Sequence, residues 1–144
     1  MKGENGKSIP PDSPLAEKVG KTGALRAWNA MFYSFAGLRA ALKNEAAFRQ
    51  ECVAAAIMIP AAFWVGRDAV EYALLIGTVV LVLIVELLNS AIEAVVDRVG
   101  TSPHHLSGQA KDMGSAAVFL ALWLSFFTWA FVIWERLGEN GFSF

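Results

Sequence analysis

A chain of 144 residues has room for one domain, and with 56 % hydrophobic residues it carries more apolar side chain than a soluble core of that size can hide. It therefore reads as an integral membrane protein, and a single cysteine, Cys52, excludes an intrachain disulfide. The net charge of −1 says little, but eight of the twelve Lys and Arg residues fall before residue 52.

Residues 1–20 place Gly3, Gly6, Pro10, Pro11 and Pro14 among scattered charges. Such a stretch builds no core, and a flexible tail is expected over residues 1–22. No apolar run of the kind a cleavable signal peptide needs occurs in the first forty residues. Gly6-Lys7-Ser8 and Gly20-Lys21-Thr22 look like fragments of a phosphate-binding loop. That loop needs another glycine five residues earlier, where this chain has Met1 and Leu15, so neither triplet qualifies.

From Leu25 to Leu42, the residues Leu25, Trp28, Phe32, Phe35, Leu38 and Leu42 recur at helical spacing, while Arg26, Asn29, Arg39 and Lys43 fall largely elsewhere. The pattern predicts an amphipathic helix over 24–43, lying in the membrane interface on its aromatic anchors. A membrane segment follows over 46–65. Its uninterrupted apolar run from Cys52 is 14 residues, short for a span, and Ala46, Ala47 and Phe48 extend it backwards. Pro60 lies inside it, a place for a kink, and Cys52 fits a small buried thiol. After the turn Gly66-Arg67-Asp68, a second segment runs over 69–99, roughly 45 Å at 1.5 Å per residue. That exceeds a hydrocarbon core of about 30 Å, so one end projects into the interface. Gly100 to His105, with Pro103, breaks the helix. The third segment, 113–134, is free of charge, with Trp129 and Trp134 as belt residues near its end. A short tail is expected over 138–144.

Basic residues orient these spans. Arg39, Lys43 and Arg49 precede the first, and Arg98 and Lys111 flank the second connection, whereas the first connection has only Arg67 and the C-terminal tail only Arg136. The positive-inside rule puts the N-terminus and the second connection in the cytoplasm and the C-terminus outside.

The second segment carries the chemistry. Taking Glu86 as the origin at 100° per residue, Asn89 falls at about 300°, Glu93 at about 340° and Asp97 at about 20°, so all four share one narrow face. Facing lipid, each mid-bilayer carboxylate would cost about 2.5–3.5 kcal/mol. The stripe must instead face protein, water, metal or substrate. Asn89 and Ser90 also fit plain interhelical hydrogen bonds, and Asp97 and Arg98 fit an interfacial helix end. Glu86 is deepest and has no basic residue three or four positions away. Glu45 and Glu93 suit a Mg²⁺ ion, which takes one or two carboxylates plus substrate phosphates, although Glu45 also fits an i,i+4 pair with Arg49. Lys111 fits either a snorkelling anchor or a phosphate ligand. His104 and His105 lack neighbouring ligands at metal spacing and read as solvated loop residues. Together these groups allow phosphoryl transfer, with a buried carboxylate as base, two others on Mg²⁺ and a lysine on the phosphates.

The run Glu86-Leu87-Leu88-Asn89-Ser90-Ala91-Ile92-Glu93-Ala94-Val95-Val96-Asp97 resembles the signature of the prokaryotic diacylglycerol kinases. Asn44-Glu45-Ala46-Ala47-Phe48-Arg49-Gln50-Glu51 and Leu106-Ser107-Gly108-Gln109-Ala110-Lys111-Asp112-Met113-Gly114-Ser115 extend the resemblance, which covers residues 25–137. It implies an all-α homotrimeric bundle in the bacterial inner membrane, with sites shared between subunits, that phosphorylates diacylglycerol from MgATP. No nucleic-acid partner is expected. By the same resemblance Glu86 is the general base, supported by Asn89, and Glu45 and Glu93 bind the metal. Arg26, Tyr33, Asp97, His104, Lys111 and Asp112 fall at nucleotide- or site-lining positions, with Lys111 also catalytic. Arg26, Glu86 and Ser115 fall on the lipid substrate. Thr101-Ser102-Pro103-His104-His105 departs from the family's usual Glu-Tyr-His-Glu, keeping only the histidine at His104. A sister branch phosphorylates undecaprenol, and the run from Ser107 to Ser115 looks like the diacylglycerol branch. Two readings of other classes stay open: a small carboxylate-lined channel or proton-coupled transporter, and a purely structural membrane subunit, which leaves Glu86 unexplained.

Overall fold

The structure, a computed structural model, describes residues 23–100 and 104–141. The expected N-terminal tail, both Gly-Lys-Ser/Thr triplets and Thr101-Ser102-Pro103 lie outside the described residues. The described elements are α1 (Gly23–Asn44), α2 (Ala46–Val65), α3 (Ala69–Val99) and α4 (His105–Gly141). Residues up to Ala40 belong to one compact unit and residues from Ala41 onward to a second.

Within the first unit, α1 keeps its large apolar side chains on its surface: Leu25, Trp28, Phe32, Tyr33 and Phe35 are all exposed. Trp28 and Phe32, one turn apart, meet edge to face with ring centroids separated by 5.4 Å.

The second unit begins at the end of α1. Glu45, at φ −101° and ψ 116°, leaves the helical region and separates α1 from α2. The last carbonyls of α1 need donors, and Arg49 supplies them, its Nη1 donating to the oxygens of Leu42 and Lys43 at 3.2 Å each. Arg49 is thus a backbone cap rather than the partner of the Glu45 carboxylate. α2 runs unbroken through Pro60 and stops at Gly66. A Cβ at Gly66 would lie 2.7 Å from Cδ1 of Tyr72 and 3.1 Å from the Ala62 carbonyl oxygen, so only glycine lets the ring close over the turn. Asp68 then caps α3, its Oδ1 accepting from the N–H groups of Val70 at 2.8 Å and Glu71 at 2.9 Å. The Glu71 carboxylate reaches back to accept from the Arg67 N–H at 2.8 Å.

α3 is the middle helix, packed against both α2 and α4, while α2 and α4 touch little. Its buried residues Leu75, Thr78, Val79, Val82, Glu86 and Asn89 recur at three- and four-residue spacing and form the packed face. An apolar core of Ala55, Ala62, Leu75, Val79, Trp129 and Val132 fills the half nearer the α2–α3 turn. Trp129 satisfies its indole N–H on the Leu75 carbonyl at 3.2 Å, and Arg136 of α4 caps Val65 at the end of α2 at 2.8 Å. α2, α3 and the part of α4 up to Gly138 are long and apolar enough to cross a membrane, with mean hydropathies of 1.3, 2.3 and 2.2 over their most apolar stretches. Outward side chains such as Ile57, Trp64, Leu88, Val95, Phe119 and Phe131 are exposed, a surface suited to acyl chains rather than water.

Candidate active site

Toward the α3 C-terminus the packed face changes from apolar to polar. Val82 is the last buried hydrophobic residue of α3, followed by Glu86 at 5 % exposure and Asn89 at 9 %. One further turn along, Glu93 is half-buried, and Asp97 is exposed. The stripe is graded by depth.

Glu86, Asn89, Ser90 and Glu93 of α3 line a cavity of about 290 Å³ together with Glu45 and Ala47 from the start of α2 and Ser115 and Val118 of α4. Glu45 reaches it because it sits at the break between α1 and α2. Three carboxylates therefore meet in one space, and the charges of Glu45 and Glu93 act on Glu86. None of the lining residues is basic. Carboxylates so arranged want a cation, and two of them offer the hard oxygen donors that Mg²⁺ prefers. Among the described residues no group of three or more His, Cys, Asp and Glu side chains is arranged to hold a metal. The donor set fits an ion that takes its remaining ligands from water and phosphate oxygens.

Asn89 donates from Nδ2 to Glu93 Oε1 at 3.1 Å, so its amide serves Glu93 rather than Glu86. Its Oδ1 and the Ser90 hydroxyl are buried without a hydrogen-bond partner. Beyond the cavity, Lys111 Nζ of α4 meets Asp97 Oδ1 of α3 at 2.6 Å and ties the two helix ends together. Asp112 is exposed beside it. His104 accepts the Leu106 N–H on Nδ1 at 3.2 Å, which makes it a cap at the start of α4 rather than a free loop side chain. Arg26 and Tyr33 lie on α1 in the separate unit, both exposed.

Glu51 of α2 adds a carboxylate that the α3 stripe does not include. Its Oε2 is buried without a hydrogen-bond partner, and the charge of Glu86 acts on it from across the α2–α3 contact. The buried residues of α2 are Phe48, Ala55 and Ala62, and Glu51 falls between the first two at helical spacing. That spacing was the available signal. Apolar residues all round α2 hid it, because no face of the helix stands out as the inner one.

A model of the prokaryotic diacylglycerol kinase family matches residues 32–133. Diacylglycerol kinase of Escherichia coli K12 is 55 % identical over 117 residues, covering 81 % of this chain and 96 % of the relative. Diacylglycerol kinase of Pseudomonas aeruginosa is 53 % identical over 114 residues, covering 79 % and 93 %. That of Haemophilus influenzae is 50 % identical over 112 residues, covering 78 % and 95 %.

Proposed function

The chain belongs to the prokaryotic diacylglycerol kinase family, and from that premise we propose that it transfers the γ-phosphoryl group of ATP to the free hydroxyl of diacylglycerol, giving phosphatidic acid and ADP, at the cytoplasmic face of the inner membrane. The observation that carries this reading is the cavity in which Glu45, Glu86 and Glu93 converge with Ser115.

Glu86, the most buried of the three, takes the proton from the lipid hydroxyl as its oxygen attacks the γ-phosphorus and the bond to the leaving ADP breaks. Ser115, on the opposite wall, helps hold the lipid headgroup, and Arg26 is a second candidate for that contact. Glu45 and Glu93 would hold Mg²⁺, and Asn89 orients Glu93 through its amide. When bound, the ion would offset charge on the transferring phosphates. Lys111, held by Asp97, provides a basic group for the phosphates. Asp112 and His104 complete the nucleotide side, a role the family resemblance also assigns to Tyr33. α1 lies in the interface, its aromatic residues among the headgroups, and three copies of the chain assemble with sites shared between them.

The polar face of α3 supports a kinase over an ion path. Towards the α2–α3 turn, the buried positions beyond Glu86 are Val82, Val79, Thr78 and Leu75, with Thr78 bonded to its own helix at the Leu75 carbonyl. The polar groups stop at that cavity, and the buried face beyond it is almost wholly apolar. For the lipid, the relatives are diacylglycerol kinases, and the run Ser107 to Ser115 looks like that branch.

The test is transfer of label from γ-labelled ATP to lipid in mixed micelles, with diacylglycerol and undecaprenol offered separately. Labelled phosphatidic acid is expected. Labelled undecaprenyl phosphate alone would reassign the substrate, and ion flux in liposomes without ATP consumption would overturn the kinase reading.

A further inference from the structure

Where α4 passes the polar face of α3 it carries a buried glycine, Gly114. A Cβ built there would collide with Oδ1 of Asn89 and lie 3.3 Å from Cγ of the same amide. Gly77 and Gly108, by contrast, have open space where a Cβ would stand. Of Gly77, Gly108, Gly114 and Gly138, Gly114 alone would bring a Cβ against another side chain.

The Asn89 amide is gripped on both sides. Its Nδ2 donates to Glu93 Oε1 at 3.1 Å, and its Oδ1 rests on the Gly114 backbone with no hydrogen-bond donor. Turning the amide over would set its carbonyl oxygen against the Glu93 carboxylate, two acceptors facing each other, so the orientation is fixed by Glu93. A carbonyl oxygen can lie against a glycine Cα–H but not in the space of a methyl group. A methyl at position 114 must either rotate the amide away from Glu93 or push α4 off α3.

We propose that Gly114 is a positioning residue for the metal-binding side of the site, acting through Asn89 to hold the Glu93 carboxylate towards the cavity. The proposal rests on the reading of Glu93 as a metal ligand. Partners that orient a ligating carboxylate typically change metal affinity about 10–100-fold when removed.

The experiment is a Mn²⁺ titration of the full chain in micelles with a non-hydrolysable ATP analogue, read by electron paramagnetic resonance. Gly114→Ala is expected to weaken Mn²⁺ binding at least ten-fold, and Gly77→Ala to leave it unchanged. In an Asn89→Ala background, Gly114→Ala should add no further loss, because the side chain it displaces is gone. Asn89→Leu keeps the volume against Gly114 and drops the donor, and it should reproduce the loss even where Gly114→Ala does not fold. Wild-type Mn²⁺ binding in Asn89→Leu, or an equal loss from Gly114→Ala in both backgrounds, would overturn the positioning role while Glu93→Gln still weakens binding. Unchanged Mn²⁺ binding in Glu93→Gln would remove the metal reading itself, and the inference with it.

Discussion

Glu86 and Asp97 lie on the same face of α3 about three turns apart, yet one is 5 % exposed and the other open to solvent. Burial at the cavity wall gives Glu86 its proposed task, since a carboxylate held away from water is costly and this one faces the space a substrate would enter. Glu86→Gln should keep the fold and lower kcat for lipid phosphorylation by about 10²–10⁴-fold, the usual worth of a general base; full activity would end that assignment. Glu93→Gln should raise the Mg²⁺ concentration needed for half-maximal rate, checked by titrating Mg²⁺ at fixed ATP. Glu51 calls for a different outcome. Its carboxylate is held away from water beside Glu86 and has one oxygen without a partner, so Glu51→Gln removes the cost of burying a second carboxylate there. The expected result is a higher unfolding temperature in detergent, and a lower one would show that the Glu51 charge is compensated.

At the scale of the elements, the turns carry the specificity that the apolar helices lack. α2 and α3 are joined by Gly66-Arg67-Asp68, where a glycine fits under Tyr72 and an aspartate caps two N–H groups. Asp68→Ala should destabilise the chain by about 0.5–2 kcal/mol, the cost of a lost helix cap, measured by denaturant unfolding in micelles. Capping roles of this kind were only partly legible in advance. Asp68 ahead of an apolar run is an N-cap signal that sequence carries. Arg49 on the carbonyls of Leu42 and Lys43, and Arg136 on Val65, were not. A long cation reaches several carbonyls, and which one it takes depends on where the chain has folded back. The second of these contacts joins residues 71 positions apart.

For the molecule as a whole, the proposed reaction needs a divalent cation, and among the described residues no group of three or more His, Cys, Asp and Glu side chains is arranged to hold one. A chelator should abolish phosphoryl transfer and leave the helices intact, with activity returning on addition of Mg²⁺; activity in the chelator's presence would exclude the ion. The second and third membrane-capable helices could be read from hydropathy, and the first by extending its short apolar run back through Ala46, Ala47 and Phe48, because lipid demands long, internally hydrogen-bonded apolar segments. The polar stripe of α3 was equally legible, because helix geometry fixes which residues share a face. Contacts across helices decided the rest. Periodicity could not say that Asn89 would bond Glu93 rather than Glu86, that Asp97 would meet Lys111, that Glu51 would turn inward, or that Gly114 would leave room for Asn89. A one-dimensional pattern specifies faces and lengths. Partners depend on the rotation and height of one helix against another, which only packing sets.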